Sequence, residues 1–180
     1  MMPYLYADIP GWFDGDYLKL YHDMVLELPN QATVIEIGCW KGKSACFLLE
    51  MIKEVGKNIK PLFIDKFTGD EYGINGNIGA DLDNFKKNLY DRGFDESTFD
   101  VMATDSIEYG QYARNNWDFV MLDGCHTTDY VRKEIETWKR KTKILAGHDY
   151  PDQGINAIVK ELLPEHENRG SCYLWRKQCV

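Results

Sequence analysis

The stretch Val34-Ile-Glu-Ile-Gly-Cys-Trp-Lys-Gly-Lys-Ser44 decides how the rest of the chain is read. Val34 to Ile37 form a short apolar run that carries one acid, Glu36. The run breaks into a loop with Gly38 and Gly42, and an amphipathic segment starts near Ser44. Strand, glycine loop and helix in that order bring backbone close to a nucleotide-like ligand in α/β domains. Glycine suits the loop because it lacks a Cβ and tolerates positive φ. A carboxylate beside the loop disfavours a phosphate and favours a ligand that carries an ammonium.

Outward from this stretch the chain alternates. Apolar runs at 33–38, 61–65, 100–103, 118–123 and 143–147 fit buried parallel strands, and 172–176 is a last strand candidate. Helical patterns occupy 44–55, 82–90, 129–141 and 155–163. Another runs through Leu18, Tyr21, Met24, Val25 and Leu28. The alternation predicts an α/β fold: one Rossmann-like, doubly wound, mostly parallel sheet with helices on both faces. The expected organisation is one domain over 1–180, with 1–30 a helical segment packing over the site.

Composition narrows the function. The 180 residues are 44% hydrophobic with a formal net charge of −8, a globular balance that offers a polyanion no broad attraction. A nucleic-acid partner is not expected. Lys and Arg gather between Arg132 and Lys143, but Glu134 and Glu136 interrupt them, which reads as a solvated helix face. The five cysteines, Cys39, Cys46, Cys125, Cys172 and Cys179, show no Cys-x-x-Cys pair, as expected of reduced thiols. No apolar run approaches a membrane span and no signal segment is visible, so the expectation is a cytoplasmic protein with no membrane partner. A homo-oligomer is left open.

Polar residues collect at the carboxyl ends of the strands, where ligands of such sheets bind. Asp65 ends the second strand, and Asp105 and Ser106 follow the third. Asp123 ends the fourth, with His126 beyond it, and His148 and Asp149 follow the fifth. Any one of these acids can be a helix cap; several on one rim point to a site. Residues 66–83, with Gly69, Gly73, Gly76 and Gly79, leave the second strand on this rim as a long loop facing substrate or solvent. Trp12, Phe13 and Trp40 are candidates for an apolar wall.

Three ligand readings of the first loop compete. A phosphate-binding loop needs one more residue between Gly38 and Gly42-Lys43-Ser44. The dinucleotide fingerprint needs glycine where Trp40 stands. Glu-x-Gly-x-x-x-Gly suits S-adenosylmethionine (SAM), whose ammonium a carboxylate can hold. Here the chain resembles a known family. Glu36 to Ser44 looks like motif I of class I SAM-dependent methyltransferases. Phe119-Val-Met-Leu-Asp-Gly-Cys-His126, Ala146-Gly-His-Asp-Tyr150 and Gly154-Ile-Asn-Ala-Ile-Val159 resemble the methyltransferase-24 type. That bacterial and phage branch is related to catechol-type O-methyltransferases. Ile9-Pro-Gly-Trp-Phe13 and Leu174-Trp-Arg-Lys177 are also similar to it.

The resemblance implies roles. Glu36 would lie near the methionine ammonium. The loop from Gly38 through Cys39, Trp40 and Gly42 to Ser44 would pack against the cofactor. Asp65 would accept the ribose hydroxyls, Asp105 and Ser106 would line the adenine, and Asp123 would be both a cofactor-binding and a catalytic residue. Metal-using relatives take ligands from the ends of strands four and five. This places Mg²⁺ or another divalent cation at Asp123 and Asp149, with His148 where some relatives have an acid. His126 stands where catechol-type enzymes place a lysine base, and an imidazole can take a hydroxyl proton near neutral pH. The expected reaction is SAM-dependent methylation of a hydroxyl on a small molecule or sugar. The alternatives are a non-catalytic SAM- or nucleoside-binding module and a divergent hydroxylase-like enzyme on the same scaffold.

Overall fold

A computed structural model describes residues 4–68 and 82–178. The chain runs α1 (Gly15–Glu27), β1 (Val34–Ile37), α2 (Lys43–Glu54), β2 (Leu62–Asp65), α3 (Leu82–Tyr90) and β3 (Asp100–Ala103). It continues with α4 (Ser106–Tyr112), β4 (Trp117–Leu122), α5 (Thr128–Trp138), β5 (Thr142–Gly147) and α6 (Gln153–Leu162). It closes with β6 (Glu167–Arg169) and β7 (Cys172–Arg176). The seven-stranded sheet has the order β3-β2-β1-β4-β5-β7-β6. Strands β1 to β5 pair in parallel, whereas β7 is antiparallel to both β5 and β6.

Both faces are covered, so β1 buries every side chain and β4 all but Asp118, and both read as largely apolar runs. On one face Tyr21, Met24, Phe47, Phe63 and Phe119 join α1, α2 and the sheet in one core. On the other, Ile35, Val120, Ile135, Trp138 and Tyr173 join α5, α6 and the sheet. Each large side chain so buried contributes roughly 1.5–3 kcal/mol.

Register aligns the site. Ile37 sits opposite Ile64 on one side and Leu122 on the other, and Leu122 sits opposite Gly147. The next residues, Asp65, Gly38, Asp123 and His148, therefore leave the sheet in one row. The row lies where the strand order reverses between β1 and β4, the usual ligand crevice of an open α/β sheet.

The structure departs from the sequence reading in three places. Helix α4 was not expected, and Asp105, placed on the rim, caps it by accepting from the Ile107 and Glu108 amides at 2.8 and 3.0 Å. Strand β6, for which the sequence offers no element, is a three-residue polar edge. Glu134, read as solvated, is buried. The glycine-rich loop at 66–83 falls largely on 69–81, outside the described residues. Among the described residues no helix is long and apolar enough to cross a membrane, and Cys39, Cys46, Cys125 and Cys172 are free thiols.

Candidate active site

The glycine loop rests on protein. A Cβ on Gly38 (φ +83°) would stand 2.1 Å from the Asp123 carbonyl oxygen, and one on Gly42 (φ +88°) would meet the Phe85 ring at 3.1 Å. Gly38 lets the end of β1 touch the end of β4; Gly42 lets α2 start against α3. Between them Trp40 adopts φ +42°, an unfavourable region for a bulky residue. Asp65 compensates: one oxygen accepts the Trp40 amide at 2.9 Å and the other the Phe67 amide at 2.8 Å. A carboxylate has about four acceptor positions, so Asp65 can still take hydroxyl donors.

Glu36 lies beneath this loop with no exposed surface. The Ser44 hydroxyl donates to its Oε1 at 2.5 Å, while Oε2 has no hydrogen-bond partner among the described residues. Burial pushes its pKa up to about 8, against the Ser44 and Tyr21 hydroxyls, which favour the ionised form. The other face repeats the device. Glu134 is buried below Gly124, receives the Ser106 hydroxyl at 2.5 Å, and is likewise pushed up to about 8 by burial.

The row ends in a caged imidazole. His148, 12% exposed, presents Nδ1 to Asp123 at 3.3 Å and to Asp149 at 3.2 Å. Its Nε2 faces Asp14 at 3.5 Å, and its ring lies 5.3 Å from that of Tyr17. Burial works against protonation of His148, but the Asp123 and Asp149 carboxylates, joined by Asp14, raise its pKa to about 9. Asp14 itself is fixed as the α1 cap, accepting from Asp16, Tyr17 and the Ser171 hydroxyl. Asp149, in the left-handed region at φ +56°, pairs through its second oxygen with Nδ1 of His126. That pair raises the His126 pKa and lowers that of Asp149. His126 is 61% exposed, with Nδ1 committed to Asp149 and Nε2 left for a ligand.

Two hollows adjoin the row. One of about 580 Å³, open to solvent, is bordered by Lys66, Thr68, Thr104, Asp105, Tyr130 and Lys133. In it Lys66 and the Tyr130 hydroxyl meet Asp105 Oδ2 at 2.8 and 2.7 Å. Burial opposes ionisation of Asp105, yet Lys66, Tyr130 and two helix amides pull its pKa down to about 2. Ser106 is buried and faces Glu134 rather than this hollow. The other hollow, about 10 Å³ between Asp123, His126, Glu134, His148, Asp149 and Tyr173, holds one water at most.

The residues fit the groups that the sequence suggests. Asp65 keeps acceptor capacity on the rim, and the unpartnered Glu36 Oε2, on β1, is an unmet acceptor buried beneath the glycine loop. For a cation, Asp123, His148 and Asp149 bring ligand atoms within 4.8 Å of one another. Asp14 stands behind His148, 3.5 Å from an Nε2 that makes no hydrogen bond among the described residues. One imidazole with two carboxylates suits Mn²⁺ or a similar transition dication better than Mg²⁺.

Sequence reasoning missed Asp14, Lys66, Tyr130 and Glu134. Asp14 carried a local signal as a cap before a helical pattern, but nothing local ties it to His148. Phe13 does not join Trp12 and Trp40 in a wall; it packs on Tyr6, Tyr17 and Phe47 in the core.

Comparison with known proteins agrees with the fold. Residues 35–150, more than half of the chain and spanning the whole row, match the methyltransferase domain family. No curated protein matches the chain. Among solved structures, the O-methyltransferase NovP superposes with a TM-score of 0.72 at 11% identity, over 91% of this chain and 80% of its own. A Corynebacterium glutamicum protein gives 0.67 at 10% identity over 96% and 84%. A SAM-dependent O-methyltransferase from Thermotoga maritima gives 0.67 at 13% identity over 100% and 73%. At these identities the likeness carries the fold, while the family match carries membership: the chain belongs to the methyltransferase domain family.

Proposed function

We propose that the protein transfers a methyl group from SAM to a hydroxyl of a small molecule or sugar. The carrying observation is the row at the strand switch. It sets Asp65 and the glycine loop on one side of Asp123 and the His126–Asp149 pair on the other. SAM supplies an electrophilic methyl on a sulfonium. The protein's part is to hold the acceptor oxygen about 3 Å from that methyl, opposite the sulfur. His126 Nε2 takes the hydroxyl proton as the oxygen–methyl bond forms and the sulfur–methyl bond breaks. Asp149 fixes the ring and offsets the charge of the imidazolium.

In the same reading, Asp123, His148 and Asp149 hold a divalent cation, with His148 shedding the proton that the carboxylates favour. Such a cation lowers the pKa of a bound hydroxyl. The net charge of −8 supports a small acceptor over a nucleic acid.

Thermal unfolding tests both parts. SAM and S-adenosylhomocysteine are expected to raise the midpoint by about 5–10 °C at a hundredfold excess over Kd. ATP and NAD are expected to leave it in place. Mn²⁺ adds a further rise that EDTA and Asp149→Asn both erase. A shift with NAD or ATP and none with SAM overturns the cofactor; no Mn²⁺ response overturns the cation.

A further inference from the structure

We propose that Tyr21, on α1, is a positioning residue for the cofactor: its hydroxyl, backed by that of Tyr17, keeps the Glu36 carboxylate in the form that receives the ammonium of SAM. The inference rests on SAM being the cofactor, and it gives α1 a part in binding beyond covering the sheet.

Tyr17 and Tyr21 lie one helical turn apart on the buried face of α1, and neither has any exposed surface. Phenylalanine would fill the same space without burying a hydroxyl, which costs free energy unless the hydroxyl meets a polar partner. The Tyr17 hydroxyl donates to the Tyr21 oxygen at 3.5 Å. The Tyr21 proton is therefore free to turn towards another acceptor. Glu36 is that acceptor, since Tyr21 favours its ionised form alongside Ser44. A hydroxyl that receives a hydrogen bond is itself polarised as a donor. Burial pushes both phenols well above their ordinary pKa, so neither competes with Glu36 for the negative charge.

Glu36 needs such support. It sits on β1 between β2 and β4, with no exposed surface. Burial is the largest influence against its ionisation, and the carboxylates of Asp123 and Asp65 at the neighbouring strand ends add repulsion. A carboxyl so placed takes up a proton unless donors offset both costs. Ser44 on α2 donates to Oε1 at 2.5 Å. Oε2 has no hydrogen-bond partner among the described residues, so Tyr21 acts on it through the O–H dipole and leaves it open for the ammonium. Two helices thus supply one hydroxyl each to a single acid, and the cation completes the set.

The test compares two ligands by calorimetric titration. S-adenosylhomocysteine keeps the methionine ammonium; deamino-S-adenosylhomocysteine is the same thioether with that group replaced by hydrogen. Wild type, Tyr21→Phe, Tyr17→Phe, Glu36→Gln and the Glu36→Gln Tyr21→Phe double variant are titrated with both, after urea denaturation has shown each to be folded. Tyr21→Phe is expected to weaken S-adenosylhomocysteine at least fivefold and the deamino ligand by twofold or less. Tyr17→Phe shows the same selectivity with a smaller loss, twofold to fivefold, and keeps the test open should Tyr21→Phe fail to fold. In Glu36→Gln no anion remains to be held, so adding Tyr21→Phe changes either ligand by twofold or less.

S-adenosylhomocysteine binding within twofold of wild type in Tyr21→Phe overturns the assignment. Equal weakening of both ligands also overturns it, because Tyr21 then only packs. Wild type that binds both ligands equally overturns it too, since Glu36 then receives no ammonium, while SAM remains the cofactor. Wild type that binds neither ligand removes the SAM reading itself, and the role of Tyr21 with it.

Discussion

Replacing Gly38 with alanine is expected to destabilise the fold by about 2–5 kcal/mol. Two costs add. The φ of +83° is one that residues with a Cβ rarely adopt, and the new methyl would fall 2.1 Å from the Asp123 carbonyl oxygen. That carbonyl cannot step aside cheaply, because the Asp123 amide is bonded to Ile37 O at 2.8 Å and the Gly38 amide to Ile64 O at 2.8 Å. Moving either strand end breaks the alignment of Asp65 with Asp123. Total stabilities run about 5–15 kcal/mol, so the variant is expected to lose much of its folded population at physiological temperature. Urea denaturation measures this directly. Gly42→Ala is the contrast: its φ of +88° brings the same backbone cost, but its methyl meets a ring edge of Phe85 at 3.1 Å rather than a backbone carbonyl, so a smaller loss is expected. A Gly38→Ala midpoint equal to wild type would contradict the close approach of β1 and β4.

His126→Ala is expected to lower kcat by about 10²–10⁴, the usual worth of a positioned general base, with S-adenosylhomocysteine affinity unchanged. The pairing with Asp149 adds a pH signature. A base must be neutral to accept a proton, so rate rises with pH through the His126 pKa. Asp149 raises that pKa by hydrogen bonding to the charged ring, and burial opposes it. Asp149→Asn removes the raising influence, so the acid limb of the rate profile moves to lower pH even as the rate falls. Initial rates of S-adenosylhomocysteine release across pH for wild type and both variants provide the check. Activity within threefold of wild type in His126→Ala would remove the base; an acid limb unmoved in Asp149→Asn would remove the pairing.

What was legible in the sequence follows from what local patterning encodes. The parallel strands announced themselves as apolar runs because both faces of the sheet are covered, and acids at their carboxyl ends marked the rim. Strand β6 was silent because Glu167, Asn168 and Arg169 pair only with β7 at an edge and bury little. Helix α4 has seven residues, one of them Gly110, too few for a periodic signal. Glu134 looked solvated because its neighbours on α5 are charged; only the tertiary packing of Ser106 and Gly124 shows the acid turned inward. The cage around His148 joins a cap near the chain's start to two strand ends far along it, and no local pattern carries such a pairing. Asp105 was placed correctly on the rim, yet its job of capping α4 was visible only as one of two readings.

The central claim is that the row beside Gly38 receives an adenosyl ligand through Asp65. Calorimetric titration with S-adenosylhomocysteine, on wild type and on Asp65→Ala, tests it most directly. The expected result is one site per chain in wild type and at least tenfold weaker binding in Asp65→Ala, in line with the loss of hydrogen bonds to a charged acceptor. Binding of equal strength in both proteins, or none in wild type, would contradict it.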